Sequence, residues 1–188
     1  MNRMILITGG QRSGKSRYAL ALAKKISDAG KDRIFLATAQ EVDHDLRARI
    51  DRHKEDRGTE FTTLEEPLHL AKVIKELKSP TGVIVIDCLT VWVNNLLYYT
   101  DRDQAEISQE VNSFLQALLS RPCPVVMVTN EVGSGIMPEN TLARRFADEL
   151  GRINQEIARL SDAVVLMTAG IPLYIKGGQD AGVMDTAF

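Results

Sequence analysis

The 188-residue chain, 20.8 kDa in mass, has the length of one ordinary domain. Its 44% hydrophobic and 26% charged residues, with a mean hydropathy of -0.12, exclude a disordered, fibrous or low-complexity protein. Lysine and arginine total 23 against 25 aspartates and glutamates, a net charge of -2 with a pI near 6.0, so no global field draws the chain onto nucleic acid or an anionic membrane and an anionic ligand must be held locally.

Apolar segments such as residues 83–86 and 125–128 are strand-sized, far short of the ~18 consecutive apolar residues of a membrane helix. The run at 4–7 is too short for a signal-peptide core and passes straight into a glycine loop, so a cytoplasmic chain without a leader is expected. Cys88 and Cys123 each lie beside an expected buried strand and read as reduced thiols. With three histidines they make no structural zinc signature.

The first strand covers residues 4–7. It runs into Gly9-Gly10-Gln11-Arg12-Ser13-Gly14-Lys15-Ser16, which satisfies G-x-x-x-x-G-K-[ST] and opens a helix carrying Tyr18, Leu20, Ala21 and Leu22. Such glycines let successive N–H groups turn inward, a concavity for phosphate oxygens at a helix N-terminus. Lys15 then reaches the β- and γ-phosphates and the Ser16 hydroxyl ligates Mg2+. A chance match in a chain of this composition is on the order of one per cent, so nucleotide binding is expected.

A second strand spans 34–37. Segment 43–57 then offers only Leu46 and Ile50 as large apolar residues among Arg47, Arg49, Arg52, Lys54 and Arg57, and is no ordinary core helix. Two readings are open: a solvated helix laced by Asp43–Arg47 and Asp45–Arg49 pairs, or an anion-handling helix. His53 lies within it, with Arg49 and Arg57 four residues to either side. These guanidiniums favour the neutral, nucleophilic imidazole and stabilise charge on a transferring phosphoryl group. His44 is the weaker candidate, and His69 reads as a partly buried helix residue.

The third strand, 83–86, ends at Asp87, the place of the carboxylate that completes a P-loop Mg2+ site. An N-cap role for the helix near Leu89 is compatible with that. Trp92 on this helix reads as core. The fourth strand, 125–128, ends in Thr129-Asn130-Glu131-Val132 rather than the N-K-x-D guanine-reading motif of signalling GTPases. The following loop, with Gly133, Ser134 and Gly135, is either a connector or a wall of the phosphate site with Asn130 and Glu131 as polar contacts. A helix at 139–160 carries a core stripe of Leu142, Phe146, Leu150, Ile153, Ile157 and Leu160. Strands at 163–167 and 173–176, joined across Gly170-Ile171-Pro172, form a hairpin-like antiparallel edge, and 177–188 reads as a flexible tail. The alternation specifies an α/β fold, P-loop NTPase-like, with a mainly parallel sheet, helices on both faces and one catalytic domain over 1–176.

Three segments, Thr8-Gly9-Gly10-Gln11-Arg12-Ser13-Gly14-Lys15-Ser16-Arg17, Arg49-Ile50-Asp51-Arg52-His53-Lys54 and Thr129-Asn130-Glu131-Val132-Gly133-Ser134-Gly135-Ile136-Met137-Pro138-Glu139-Asn140, together resemble the bifunctional adenosylcobinamide kinase/adenosylcobinamide-phosphate guanylyltransferase family of coenzyme B12 synthesis. Ala37-Thr38-Ala39, Glu65 in Leu64-Glu65-Glu66-Pro67, Leu142-Ala143-Arg144-Arg145-Phe146 and Gly151-Arg152-Ile153-Asn154-Gln155 extend the similarity over residues 4 to about 176. The third segment discriminates best, because many P-loop proteins share the first.

The resemblance implies phosphorylation of the hydroxyl on the corrinoid's aminopropanol arm, then guanylylation of an enzyme histidine by GTP and passage of GMP to the phosphorylated corrinoid. It implies His53 as that histidine; where some members carry two adjacent histidines, this chain has Arg52-His53. It further implies nucleotide contacts from Ala37, Thr38, Ala39, Lys54, Arg57 and Glu65, a homotrimer, and GTP, ATP and adenosylcobinamide as small-molecule substrates, with no nucleic acid and no membrane span. ATP and GTP stay open as kinase donors. Two other readings of the residues also stay open: a different P-loop small-molecule kinase indifferent to His53, and a nucleotide-sensing module.

Overall fold

The computed structural model describes residues 2–39, 58–77, 80–98, 100 and 102–177. In chain order these form β1 (Met4–Gly9), α1 (Lys15–Ile26), β2 (Asp32–Ala37), a 3-10 turn (Gly58–Glu60), β3 (Thr62–Glu65), α2 (Leu70–Glu76), β4 (Thr81–Asp87), α3 (Leu89–Tyr98), α4 (Gln104–Leu119), β5 (Val125–Val128), α5 (Thr141–Leu160), β6 (Ala163–Thr168) and β7 (Ile171–Lys176). The strands make one sheet in the order β3-β2-β4-β5-β1-β6-β7. All neighbours are parallel except β6 and β7.

The uninterrupted apolar runs are central strands because both of their faces are covered. Ile5, Ile7, Val83, Val85, Val126 and Val128 point to α1, where they meet Tyr18, Ala19, Leu22 and Ala23. Their alternate neighbours Leu6, Leu36, Ile84, Ile86 and Met127 point the other way, onto α2, α3, α4 and α5. Trp92 lies at the centre of this larger layer, fully buried, its ring centroid 4.9 Å from that of Phe114. Its Nε1 donates to Leu68 O at 2.8 Å, so the one polar atom of the ring is satisfied.

The α/β class, the mainly parallel sheet, the helices on both faces and the antiparallel strand near the C-terminus stand as expected. Several details differ. Strand β3 has no counterpart in the sequence reading: all four of its side chains are exposed and it is held to β2 by backbone pairing from Ile34↔Thr62 to Ala37↔Glu65, so apolar periodicity never marked it. The β6–β7 turn is tighter than expected. Ala169 and Gly170 have φ of 52° and 84°, the positive pair that a two-residue hairpin turn needs, so β7 starts at Ile171 rather than Leu173. Helix α5 starts at Thr141, its N-cap Asn140 accepting from Leu142 N and Ala143 N. Leu142 then falls in the first turn of the helix, 56% exposed and not core. His69 is likewise exposed, because it precedes α2 instead of lying within it. The expected 43–57 helix lies outside the described residues, as does the expected tail apart from Gly177. Among the described residues no helix is long and apolar enough to cross a membrane.

Candidate nucleotide and phosphoryl-transfer site

Parallel strands deliver their C-terminal ends to one edge of the sheet, where the phosphate loop and the Asp87, Ala37 and Glu65 positions lie. β1 ends at Gly9, where the chain leaves with φ of 147°. A Cβ at this position would stand 2.4 Å from Met167 O, so only glycine passes so close beneath β6. The loop closes through Ser13 N donating to Gly10 O at 3.4 Å, and its back is stitched to the β6–β7 turn by Gly170 N donating to Ser13 O at 3.1 Å. Gly14, at φ 92°, then caps α1 without a side chain. The contrast with α4 is informative: there Asp103 and Glu106 form a complete capping box. At α1 no side chain caps the first turn, and a helix N-terminus of that kind suits an anion.

Within this loop Gly10, Gln11 and Arg12 are exposed, Ser13 and Lys15 buried, and Gly14 and Ser16 half-buried. The Lys15 Nζ donates to Gly10 O at 2.6 Å and to Ser13 Oγ at 3.5 Å. Burial lowers its pKa from the usual lysine value, and the Asp87 carboxylate nearby opposes that shift. The ammonium therefore stands beneath the loop within electrostatic reach of Asp87 at the β4 end.

Asp87 is in register with Ala37 on β2 and Val128 on β5, and Ala37 with Glu65 on β3. Glu65, Ala37 and Asp87 thus stand side by side at one level of the sheet. Thr38 sits just beyond, fully buried, its Oγ1 accepting from Cys88 N at 2.9 Å and donating to Cys88 O at 2.8 Å. The hydroxyl of Thr38 is spent on fixing the peptide after Asp87. Ala39 continues the same exit. Burial, reinforced by the Asp87 charge, pushes the Cys88 thiol up to about 12, so it carries almost no thiolate at neutral pH.

One polar group of this edge escaped the sequence reading. Asn95, buried in the otherwise apolar α3, donates through Nδ2 to Thr38 O at 2.8 Å and to Pro67 O at 3.1 Å. It ties the exit of β2 to the loop after β3. The adjacent amides Asn94-Asn95 inside a helix of Val, Trp and Leu were the available signal. Asn130, a candidate polar contact in the sequence, stands in a small network at the exit of β5. Thr129 Oγ1 donates to Asn154 Oδ1 at 2.8 Å, Asn154 Nδ2 to Asn130 O at 3.2 Å, and Asn130 N to Thr90 Oγ1 at 2.7 Å. Glu131 N donates to Gly9 O at 3.1 Å, joining this loop to the phosphate loop. Its side chain then accepts from Gly133 N at 2.9 Å. His53, Lys54 and Arg57 lie outside the described residues.

A family model described as cobinamide kinase / cobinamide phosphate guanyltransferase matches residues 5–175. The chain is similar to the "Bifunctional adenosylcobalamin biosynthesis protein CobU" of Escherichia coli, 41% identical over 184 residues, 92% of this chain and 99% of that protein. To the protein of the same description from Salmonella typhimurium it is 42% identical over 185 residues, with coverage of 92% and 99%. Among solved structures, an ATPase from the type III secretion system of pathogenic bacteria superposes with a TM-score of 0.55 at 10% identity, covering 88% of this chain and 51% of that one. That likeness is one of fold.

Proposed function

The chain belongs to the cobinamide kinase / cobinamide phosphate guanyltransferase family, and from that membership we propose that it carries out both steps on adenosylcobinamide itself, phosphorylation and then guanylyl transfer through His53. The observation that supports the first step best is the phosphate cradle, with its uncapped α1 N-terminus and Lys15 held beneath it. In that step the hydroxyl oxygen on the aminopropanol arm bonds to the γ-phosphorus of a nucleoside triphosphate while the bond to the β–γ bridging oxygen breaks. The products are the phosphate ester, the nucleoside diphosphate and the released hydroxyl proton. Backbone N–H groups of the loop and the Lys15 ammonium take up charge on the phosphoryl oxygens.

Among the described residues no three His, Cys, Asp or Glu side chains cluster to cage a metal. A hydroxyl at the start of α1 and a carboxylate at the end of β4, with the other positions left to phosphate and water, is nonetheless the all-oxygen set that Mg2+ takes beside a nucleotide. Ser16 and Asp87 would hold it, and its contribution is to neutralise charge on the transferring group.

In the second step a ring nitrogen of His53 bonds to the α-phosphorus of GTP and the bond to the pyrophosphate oxygen breaks, releasing pyrophosphate. The phosphate of adenosylcobinamide phosphate then displaces the imidazole and takes up the GMP, which returns the histidine free. The family resemblance supports this assignment, as does the arginine-rich surround of His53 in the sequence. The same resemblance supports a cytoplasmic homotrimer.

Incubation with Mg2+ and α-labelled GTP, followed by denaturation and mass spectrometry, tests the second step. The expected label sits on His53 and is acid-labile and base-stable, as a phosphoramidate is. Label elsewhere, or none under conditions of saturating GTP, overturns it.

A further inference from the structure

A corrin macrocycle cannot enter a loop built around phosphates; only its aminopropanol arm reaches in, and the ring must rest on surface beside the loop. Strand β1 carries the phosphate loop and has two neighbours, β5 and β6. On the β6 side the chain turns back at once through Ala169–Gly170, which is bonded to Ser13. On the β5 side lies the loop at 129–140. Its near end is bonded to Gly9 through Glu131 N. Its far end is held by the Arg144 guanidinium, which donates to Pro138 O at 2.9 Å and to Glu139 O at 2.6 Å.

Between these anchors the loop presents aliphatic side chains to water. Ile136 is 98% exposed and Met137 76%, with Val132 at 39% earlier in the same loop, beside the small residues Gly133, Ser134 and Gly135. A loop pinned at both ends and tipped with two large apolar side chains serves an apolar ligand better than it serves solvation.

We infer that this loop is the platform for the acceptor, with Ile136 and Met137 packing against the methyl-bearing, uncharged periphery of the corrinoid while its arm extends to the phosphate loop. The inference rests on the reading of the chain as a cobinamide kinase and adds to it the surface that selects the acceptor. Contiguity with the phosphate loop favours the corrinoid over a second copy of the chain as occupant. Methionine, unbranched and polarizable, suits a broad and irregular ring face.

The test is the paired substitution Ile136→Ser and Met137→Ser, with Ile136→Leu and Met137→Leu as the conservative pair. Both sites are exposed, so folding is not at stake. Steady-state phosphorylation of adenosylcobinamide is measured together with the mass in solution by light scattering. The serine pair is expected to raise KM for adenosylcobinamide about tenfold or more, with KM for the triphosphate changed less than about twofold, and the leucine pair to restore it. An unchanged acceptor KM overturns the inference, and a fall in assembly mass with that KM unchanged assigns the patch to a contact between copies. Wild-type protein that neither binds nor phosphorylates adenosylcobinamide overturns the functional reading and the platform with it. Turnover by wild type with no effect of the serine pair overturns the platform alone.

Discussion

In the nucleotide-free protein the Lys15 ammonium is buried with a carbonyl and a hydroxyl as its partners, and desolvation lowers its pKa. The folded state then holds this proton less tightly than the unfolded chain. The resulting penalty is in force at neutral pH and is relieved as pH rises toward the ordinary value of 10.5. Replacing Lys15 by methionine keeps the length of the side chain and removes the buried charge, so it is expected to stabilise the free protein by about 1 kcal/mol, a gain of ~2–4 °C in Tm. Phosphorylation should fall on the order of 100-fold or more. Calorimetry and a kinase assay on the same sample check both halves, and a lower Tm or a retained rate refutes the account. Lys15 and Ser16 are candidates from the phosphate-loop motif, and Asp87 from its place at the end of an apolar run. The work of Thr38 cannot be read from the sequence, because its partners are backbone atoms of Cys88, fifty residues away.

Elements whose apolar pattern records burial are legible in the sequence, and those shaped by neighbours are not. β1, β2, β4, β5 and β6 are buried on two faces, and their runs say so. β3 is an edge strand of Thr62, Thr63, Leu64 and Glu65 that exists because β2 offers it an unpaired backbone; its polar side chains suit the exposed edge of a sheet. At the opposite edge β7 carries Pro172 and Lys176, which serve the same end. Asn95 shows how such elements are secured. Substituting leucine leaves Thr38 O and Pro67 O without their donor inside the protein, at an expected cost of about 1–3 kcal/mol. Thermal unfolding of Asn95→Leu checks this, and a Tm within a degree of wild type removes Asn95 from its structural role.

At the scale of the whole molecule the phosphate loop, the β4 end and the β5 exit are parts of one parallel sheet, so a ligand there stabilises the entire fold. Nucleotide with Mg2+ at ~100 times its Kd is expected to add about 2.7 kcal/mol, or ~5–10 °C in Tm. Chelation of the metal should remove most of that shift, and an equal shift with and without chelator refutes the assignment of Mg2+ to Ser16 and Asp87. Trp92 also gives the molecule an optical probe of its own. It is the only tryptophan, it is sealed among the side chains of α2 and α4, and its indole N–H is bonded to the backbone just before α2. Its emission therefore belongs to a dry site in the folded protein and moves to longer wavelength when water enters. A single intrinsic fluorophore thus records the opening of the larger core layer with no label attached, and any shift of the loop between β3 and α2 reaches it through one hydrogen bond.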